Sequence, residues 1–144
     1  MKVLPDSKYK LFSDKIYLRR LSIDDVNDKY VSWLNNPQVN SFLECRHVKH
    51  TIESTKKYIE ILSSEISKEL IMGIFLKDTN NHIGNIKLGP IDWYNSHATV
   101  GLLIGEIDCW GNGYGSEAIS LITNYATEFL GLKTLIAGCY EQNS

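Results

Sequence analysis

Residues 98–139 read ATVGLLIGEIDCWGNGYGSEAISLITNYATEFLGLKTLIAGC, and this stretch decides the fold. Ala98 to Gly105 is a short apolar run of strand length. A glycine-rich turn, Gly111 to Gly115 (GNGYG), follows Trp110. Ala118, Ile119, Ile122, Tyr125, Ala126, Phe129 and Leu130 then recur at helical spacing, and Gly131 stands where a left-handed helix end favours glycine. Lys133 to Cys139 (KTLIAGC) reads as a further strand. Strand, glycine turn, helix and strand make a crossover. A right-handed one lays the Ser116–Leu130 helix across the sheet and brings the last strand parallel to its predecessor.

Upstream, Lys15 to Leu21 (KIYLRRL) alternates Ile16, Leu18 and Arg20 inward against outward partners, as in a half-buried strand. Ser22 and Asp24 are cap-type residues for a helix carrying Val26, Tyr30, Val31, Trp33 and Leu34, stopped at Asn35–Asn36–Pro37. Thr51 with Ser54 caps a second helix, with Thr55, Ile59, Leu62 and Ile66 on one face. Leu70 to Lys77 and His82 to Gly89 are strands joined by the turn Asp78–Asn81 (DTNN), and Pro90 to His97 reads as a longer loop to the next. The expected architecture is α+β, a largely antiparallel sheet flanked by helices, in one domain over residues 1–144 with residues 1–14 as an N-terminal arm.

Composition narrows the function. With 43% hydrophobic residues, 22% charged residues and a net charge of −2, the chain is neither a disordered polyelectrolyte nor a basic binder of nucleic acid. No apolar run reaches the roughly 20 residues of a membrane span, and no apolar stretch of signal-peptide length opens the chain. Cys45, Cys109 and Cys139 are widely spaced without a CxxC pair, which gives neither a disulfide framework nor a metal site. The expectation is a cytoplasmic domain without metal, membrane or nucleic-acid partner.

Chemistry concentrates in the glycine turn. Gly111, Asn112, Gly113, Tyr114, Gly115 and Ser116 lie between a strand and a helix, where free N–H groups and the positive end of the helix dipole suit a phosphate or diphosphate. Glycines let the backbone approach the anion. The alternative is a turn that only joins strand to helix. A P-loop is excluded, because no lysine occurs between Asn112 and Leu132. The dinucleotide fingerprint fails at Ser116, where a glycine is required.

Beyond these readings, the sequence resembles the GNAT superfamily of N-acetyltransferases, within it the branch similar to ribosomal-protein N-terminal acetyltransferases. The resemblance rests on IYLRRLSIDDV (16–26), WLNNPQV (33–39), HIGNIKLGPIDW (82–93) and, most specifically, residues 98–144. It implies acetyl-coenzyme A as acetyl donor, with its diphosphate on the family loop [QR]xxGx[GA], here Trp110, Gly111, Asn112, Gly113, Tyr114 and Gly115. Trp110 departs from the usual Gln or Arg, whereas the backbone site needs only the glycines. The resemblance further implies that the strand through Leu103 and Ile104 splays from the final parallel strand. The pantetheine arm then fills the gap, and a backbone N–H near Leu103 meets the oxyanion. Asn143 matches a cofactor-touching Asn. The Glu that serves some relatives as base corresponds to Gly138, and the family's Tyr acid falls past residue 144. The pattern thus leads to the expectation of a chain short of the family's C-terminal helix and strands.

For the acceptor, the irregular segment Asn36 to His50 is the expected wall. Glu44 is its candidate proton acceptor and Arg46 its candidate substrate contact; a solvated loop with a surface ion pair is the alternative for both. Asn85 and Lys87 share one face of their strand and are further acceptor candidates, with plain solvent exposure as the alternative. Tyr140 is a second catalytic candidate at the cleft border, with a packing role as the alternative. His97 is a base candidate by residue type, but as the residue that starts a strand it reads as structural, and Glu106 reads as solvent-facing. The loop lacks strong acidic character, an argument against a polyamine. The stretches WLNNPQVNSFLECR (33–46) and HTIEST (50–55) resemble small-molecule and sugar-modifying members of the superfamily, which implies N-acetylation of a small polar metabolite, with a nucleotide-linked amino sugar as one such acceptor. Acetylation of a protein N-terminus and a weakly catalytic acyl-coenzyme A-binding module are the alternatives. A homodimer through exposed sheet edges is a further expectation.

Overall fold

The structure, a computed structural model, describes residues 9–36, 49–62 and 69–137. Among these residues six strands form one sheet in chain order: β1 (Lys10–Phe12), β2 (Ile16–Arg20), β3 (Leu70–Leu76), β4 (His82–Asp92), β5 (His97–Ile104) and β6 (Thr134–Ala137). Neighbours are antiparallel up to β5, and β5 pairs with β6 in parallel. Helices α1 (Asp28–Asn35) and α2 (Ile52–Leu62) cover one face and α3 (Tyr114–Glu128) the other. This is the expected α+β sheet with its crossover helix.

Because both faces are covered, there are two cores. Ile16, Leu18, Met72, Ile86, Leu102 and Ile104 pack beneath Ala118, Ile122 and Ala126 of α3. Tyr17, Ile71, Phe75 and Leu103 pack beneath Tyr30 and Trp33 of α1 and Ile59 and Leu62 of α2. Strand residues of both parities are therefore buried, and Tyr17, expected to point outward, is inside. At about 25 cal/mol per Å² of apolar surface, each fully buried large side chain contributes roughly 1.5–3 kcal/mol.

Three boundaries differ from expectation. Lys10–Phe12, within the expected arm, pairs with β2 in register Leu11↔Leu18. Ser22 and Asp24 do not cap α1. Ile23–Asp25 forms a short 3-10 turn, and α1 starts after Asn27, whose side chain accepts the Tyr30 N–H at 2.9 Å. Asp25 is held by the Arg19 guanidinium at 2.9 and 2.7 Å, which fixes the turn and delays the helix. Finally, β4 continues through Pro90 to Asp92, so residues 93–96 alone form the loop. Its register shifts between Leu88 and Ile91, and a bulge tolerates a residue lacking an N–H. The Thr51/Ser54 cap of α2 and the left-handed Gly131 (φ 71°) after α3 stand as expected.

Candidate active site

The polypeptide leaves β5 at Ile104, makes a 3-10 turn over Ile107–Cys109 and enters α3 through the glycine turn. Gly111 (φ 81°) and Gly113 (φ 80°) are both left-handed, a conformation that other residues adopt at a cost. Among the described residues, a Cβ at either would meet nothing within 4 Å. Among the described residues, the N–H groups of Asn112, Gly113, Tyr114, Gly115 and Ser116 donate to no acceptor; the first bond into the helix is Glu117 N–H to the Gly113 carbonyl at 3.1 Å. These uncommitted donors lie at the positive end of a 15-residue helix dipole. The nearby carboxylate of Glu117 is engaged elsewhere. Its Oε1 accepts Ser13 Oγ at 2.6 Å and Lys15 N at 3.2 Å, which ties the first turn of α3 to the β1–β2 connection.

Strands β5 and β6 pair from His97↔Thr134 to Val100↔Ala137. Gly105 and Glu106 both donate their N–H to the Ile83 carbonyl, at 2.8 and 3.2 Å. By strand alternation, the backbone groups of Leu103 therefore face β4, while those of Leu102 and Ile104 face the β6 side. The indole N–H of Trp110 donates to the Ile104 carbonyl at 2.8 Å, and the ring packs against both cores. Trp110, the departure from the family loop, thus closes off the end of β5.

On the opposite face, α1 and the segment after β5 flank an open cleft of about 440 Å³ lined by Lys29, Trp33, Gly105, Glu106 and Asp108 among others. A Cβ on Gly105 would fall inside the Trp33 indole, so glycine is what lets the ring lie against the chain there. Trp33 Nε1 donates to Glu106 Oε1 at 3.2 Å, and Lys29 Nζ stands 3.6 Å from the same oxygen and 5.6 Å from the Trp33 ring centroid. Beside them His82 sits in an aromatic box, its ring 4.8 Å from Phe75, 4.9 Å from Trp33 and 5.6 Å from Tyr30. Burial pushes the His82 pKa below the usual imidazole range, against the opposing Asn85 contact (2.7 Å) and the charge of Asp25.

The expected residues distribute as follows. Leu103, Ile104, Trp110 and Gly111–Ser116 come together around the end of β5. Asn85 is buried with its Oδ1 on His82, and Lys87 pairs with Glu69 at 3.3 Å. His97, 3.4 Å from Asp92, lies at the other end of β5, about 23 Å along the strand from Ile104. Glu44, Arg46, Tyr140 and Asn143 lie outside the described residues. Glu106, expected to face solvent, lines the cleft instead. A clue was present in the sequence: Gly105 before it is a residue small enough for an aromatic ring to cover.

Among the described residues, no group of three or more His, Cys, Asp or Glu side chains stands together as a metal site, and no helix is long and apolar enough to cross a membrane. The fold has solved counterparts. An acetyltransferase of the GNAT family from Bacillus anthracis superposes with a TM-score of 0.75 at 17% identity, covering 94% of this chain and 76% of that one. Spermidine N-acetyltransferase from Vibrio cholerae, in complex with coenzyme A and spermine, gives 0.74 at 18%, covering 85% and 69%. In sequence, the chain is 23% identical over 137 residues to the Bacillus licheniformis protein called uncharacterized N-acetyltransferase p20, covering 93% of this chain and 75% of that protein. Residues 15–144 match the family model described as an acetyltransferase (GNAT) domain, and the chain belongs to that family of acetyltransferases.

Proposed function

We propose that this acetyltransferase moves an acetyl group from acetyl-coenzyme A to the amino group of a small polar metabolite. The observation that carries the reading is the set of amides from Asn112 to Ser116, uncommitted among the described residues and preceded by two left-handed glycines whose Cβ positions meet no described atom within 4 Å. Such a cradle fits a diphosphate through backbone donors alone, so Trp110 in place of Gln or Arg does not compromise it. Bound there, acetyl-coenzyme A supplies an activated thioester carbonyl. The backbone groups of Leu102 and the N–H of Ile104 on the β6 side suit an amide-bearing arm laid as a substitute strand. Because the Leu103 amide lies on the β4 side, the amide that meets an oxyanion falls to one of its neighbours. Glu44 as proton acceptor, Tyr140 at the cleft border, Arg46 at the acceptor and Asn143 at the cofactor complete the proposed machinery. Asn85 acts by fixing His82, and Lys87 by its pairing with Glu69.

Thiol release from acetyl-coenzyme A tests the reading, with nucleotide-linked amino sugars, small alkyl amines and free N-terminal peptides offered in turn. Amine-dependent release with a small amine supports it. Release with peptides alone transfers the activity to protein N-termini. Coenzyme A binding with no release in any arm leaves a binding module.

A further inference from the structure

The cleft between α1 and the end of β5 is unassigned. Its chemistry is that of a cation site. We infer that it holds the acceptor as an alkyl ammonium, with Glu106 as the carboxylate that receives it and the Trp33 indole as its wall; the inference rests on the acetyltransfer reading above.

The internal arrangement already shows which group the site suits. The Lys29 ammonium lies 3.6 Å from Glu106 Oε1 and 5.6 Å from the Trp33 ring centroid, so a primary ammonium is seated between carboxylate and aromatic face. Both contacts to Glu106, from Lys29 and from Trp33 Nε1, fall on Oε1, and no hydrogen bond engages Oε2 among the described residues. The Trp33 N–H fixes the orientation of the carboxylate and leaves that second oxygen available. The side chains of Lys29 and Glu106 are 42% and 34% exposed, and an ion pair so placed is easily exchanged for an incoming ammonium. The formal charge of the lining is one Lys against Glu106 and Asp108, which attracts an amine and repels one that carries a phosphate.

Position supports the same assignment. Glu106 follows Ile104, the last residue of β5, by two residues, about 7 Å along the chain, and the backbone groups of Ile104 face the β6 side. The charge that the irregular loop 36–50 lacks is supplied here from the end of a strand.

The test uses the whole chain and the indole N–H signals of Trp33, Trp93 and Trp110 in nitrogen-15-correlated spectra, with ethanolamine and O-phosphoethanolamine as a matched pair of probes. A saturable shift of the Trp33 signal with ethanolamine, and a several-fold weaker response to the phosphorylated probe, is expected. Glu106→Gln should raise the half-saturation concentration roughly tenfold or more, the usual scale for losing a charge-assisted hydrogen bond. Lys29→Met, on an exposed side chain, should lower it; this variant decides the matter if Glu106→Gln proves misfolded. A Trp33 signal that stays still, or that answers both probes equally, overturns the inference. Coenzyme A added to the same sample separates the two levels: movement of the 112–116 amides with a silent Trp33 defeats the cleft alone, whereas silence of those amides defeats the acetyl-coenzyme A reading.

Discussion

The Trp110 indole N–H donates to the carbonyl of Ile104 at 2.8 Å, six residues back along the chain. This bond folds the segment after β5 onto the end of the strand and so sets where the glycine turn begins. Trp110→Phe keeps most of the ring's contact with both cores but leaves that carbonyl without its donor, at a cost of about 1 kcal/mol. A melting temperature lower by a few degrees is expected, with a raised KM for acetyl-coenzyme A. Wild-type values for both would show the bond to be idle.

Gly113 separates conformation from space. Its φ of 80° disfavours a side chain, yet among the described residues nothing lies within 4 Å of a Cβ there. Gly113→Val therefore strains the turn by about 1–2 kcal/mol and puts a branched side chain where the diphosphate is proposed to lie. Coenzyme A affinity should fall at least tenfold while the circular dichroism spectrum stays folded. Gly113→Asn, which tolerates left-handed backbone, should fall less.

Gly105→Ala probes the other face. The added methyl coincides with the Trp33 indole, which is buried and cannot simply swing away. Overpacking of this kind costs about 1–3 kcal/mol and should also shift the Trp33 indole signal while the 112–116 amides keep their positions. Amine KM should rise more than acetyl-coenzyme A KM.

His82 gives the fold a pH dependence whose sign follows from its lowered pKa. The folded chain binds fewer protons there than the unfolded chain, whose imidazole titrates near 6.5. Its contribution is fully present above pH 6.5 and is lost as pH falls through the folded value. Phe75, Trp33, Tyr30 and Asn85 surround the ring, and the charges of Asp25 and Lys29 act on it from nearby. Melting temperature should decline from pH 6.5 downward, and His82→Phe should flatten that decline. An unchanged slope in the variant would assign the dependence to other groups.

What was legible in the sequence was periodic or local. The helical spacing of Ala118, Ile122 and Ala126, the apolar run of β5 and the glycine turn each carry their own signal and appear in the fold. The start of α1 was not legible, because Asp25 answers to Arg19 on β2 rather than to its own helix. Nor was the extension of β4, since Pro90 reads as a strand end until a bulge accommodates it. The cleft depends on Trp33 meeting Glu106 across 73 residues, a contact that no local pattern encodes. Asn85, an acceptor candidate from its strand face, is engaged by a half-buried histidine three residues away.

The most direct measurement compares coenzyme A with pantetheine, its fragment without the nucleotide, while the backbone amides of Asn112–Ser116 are followed by nitrogen-15-correlated spectroscopy. The account predicts large saturable shifts of those amides with coenzyme A and little movement with pantetheine. Binding of coenzyme A that leaves the five amides where they were would contradict it.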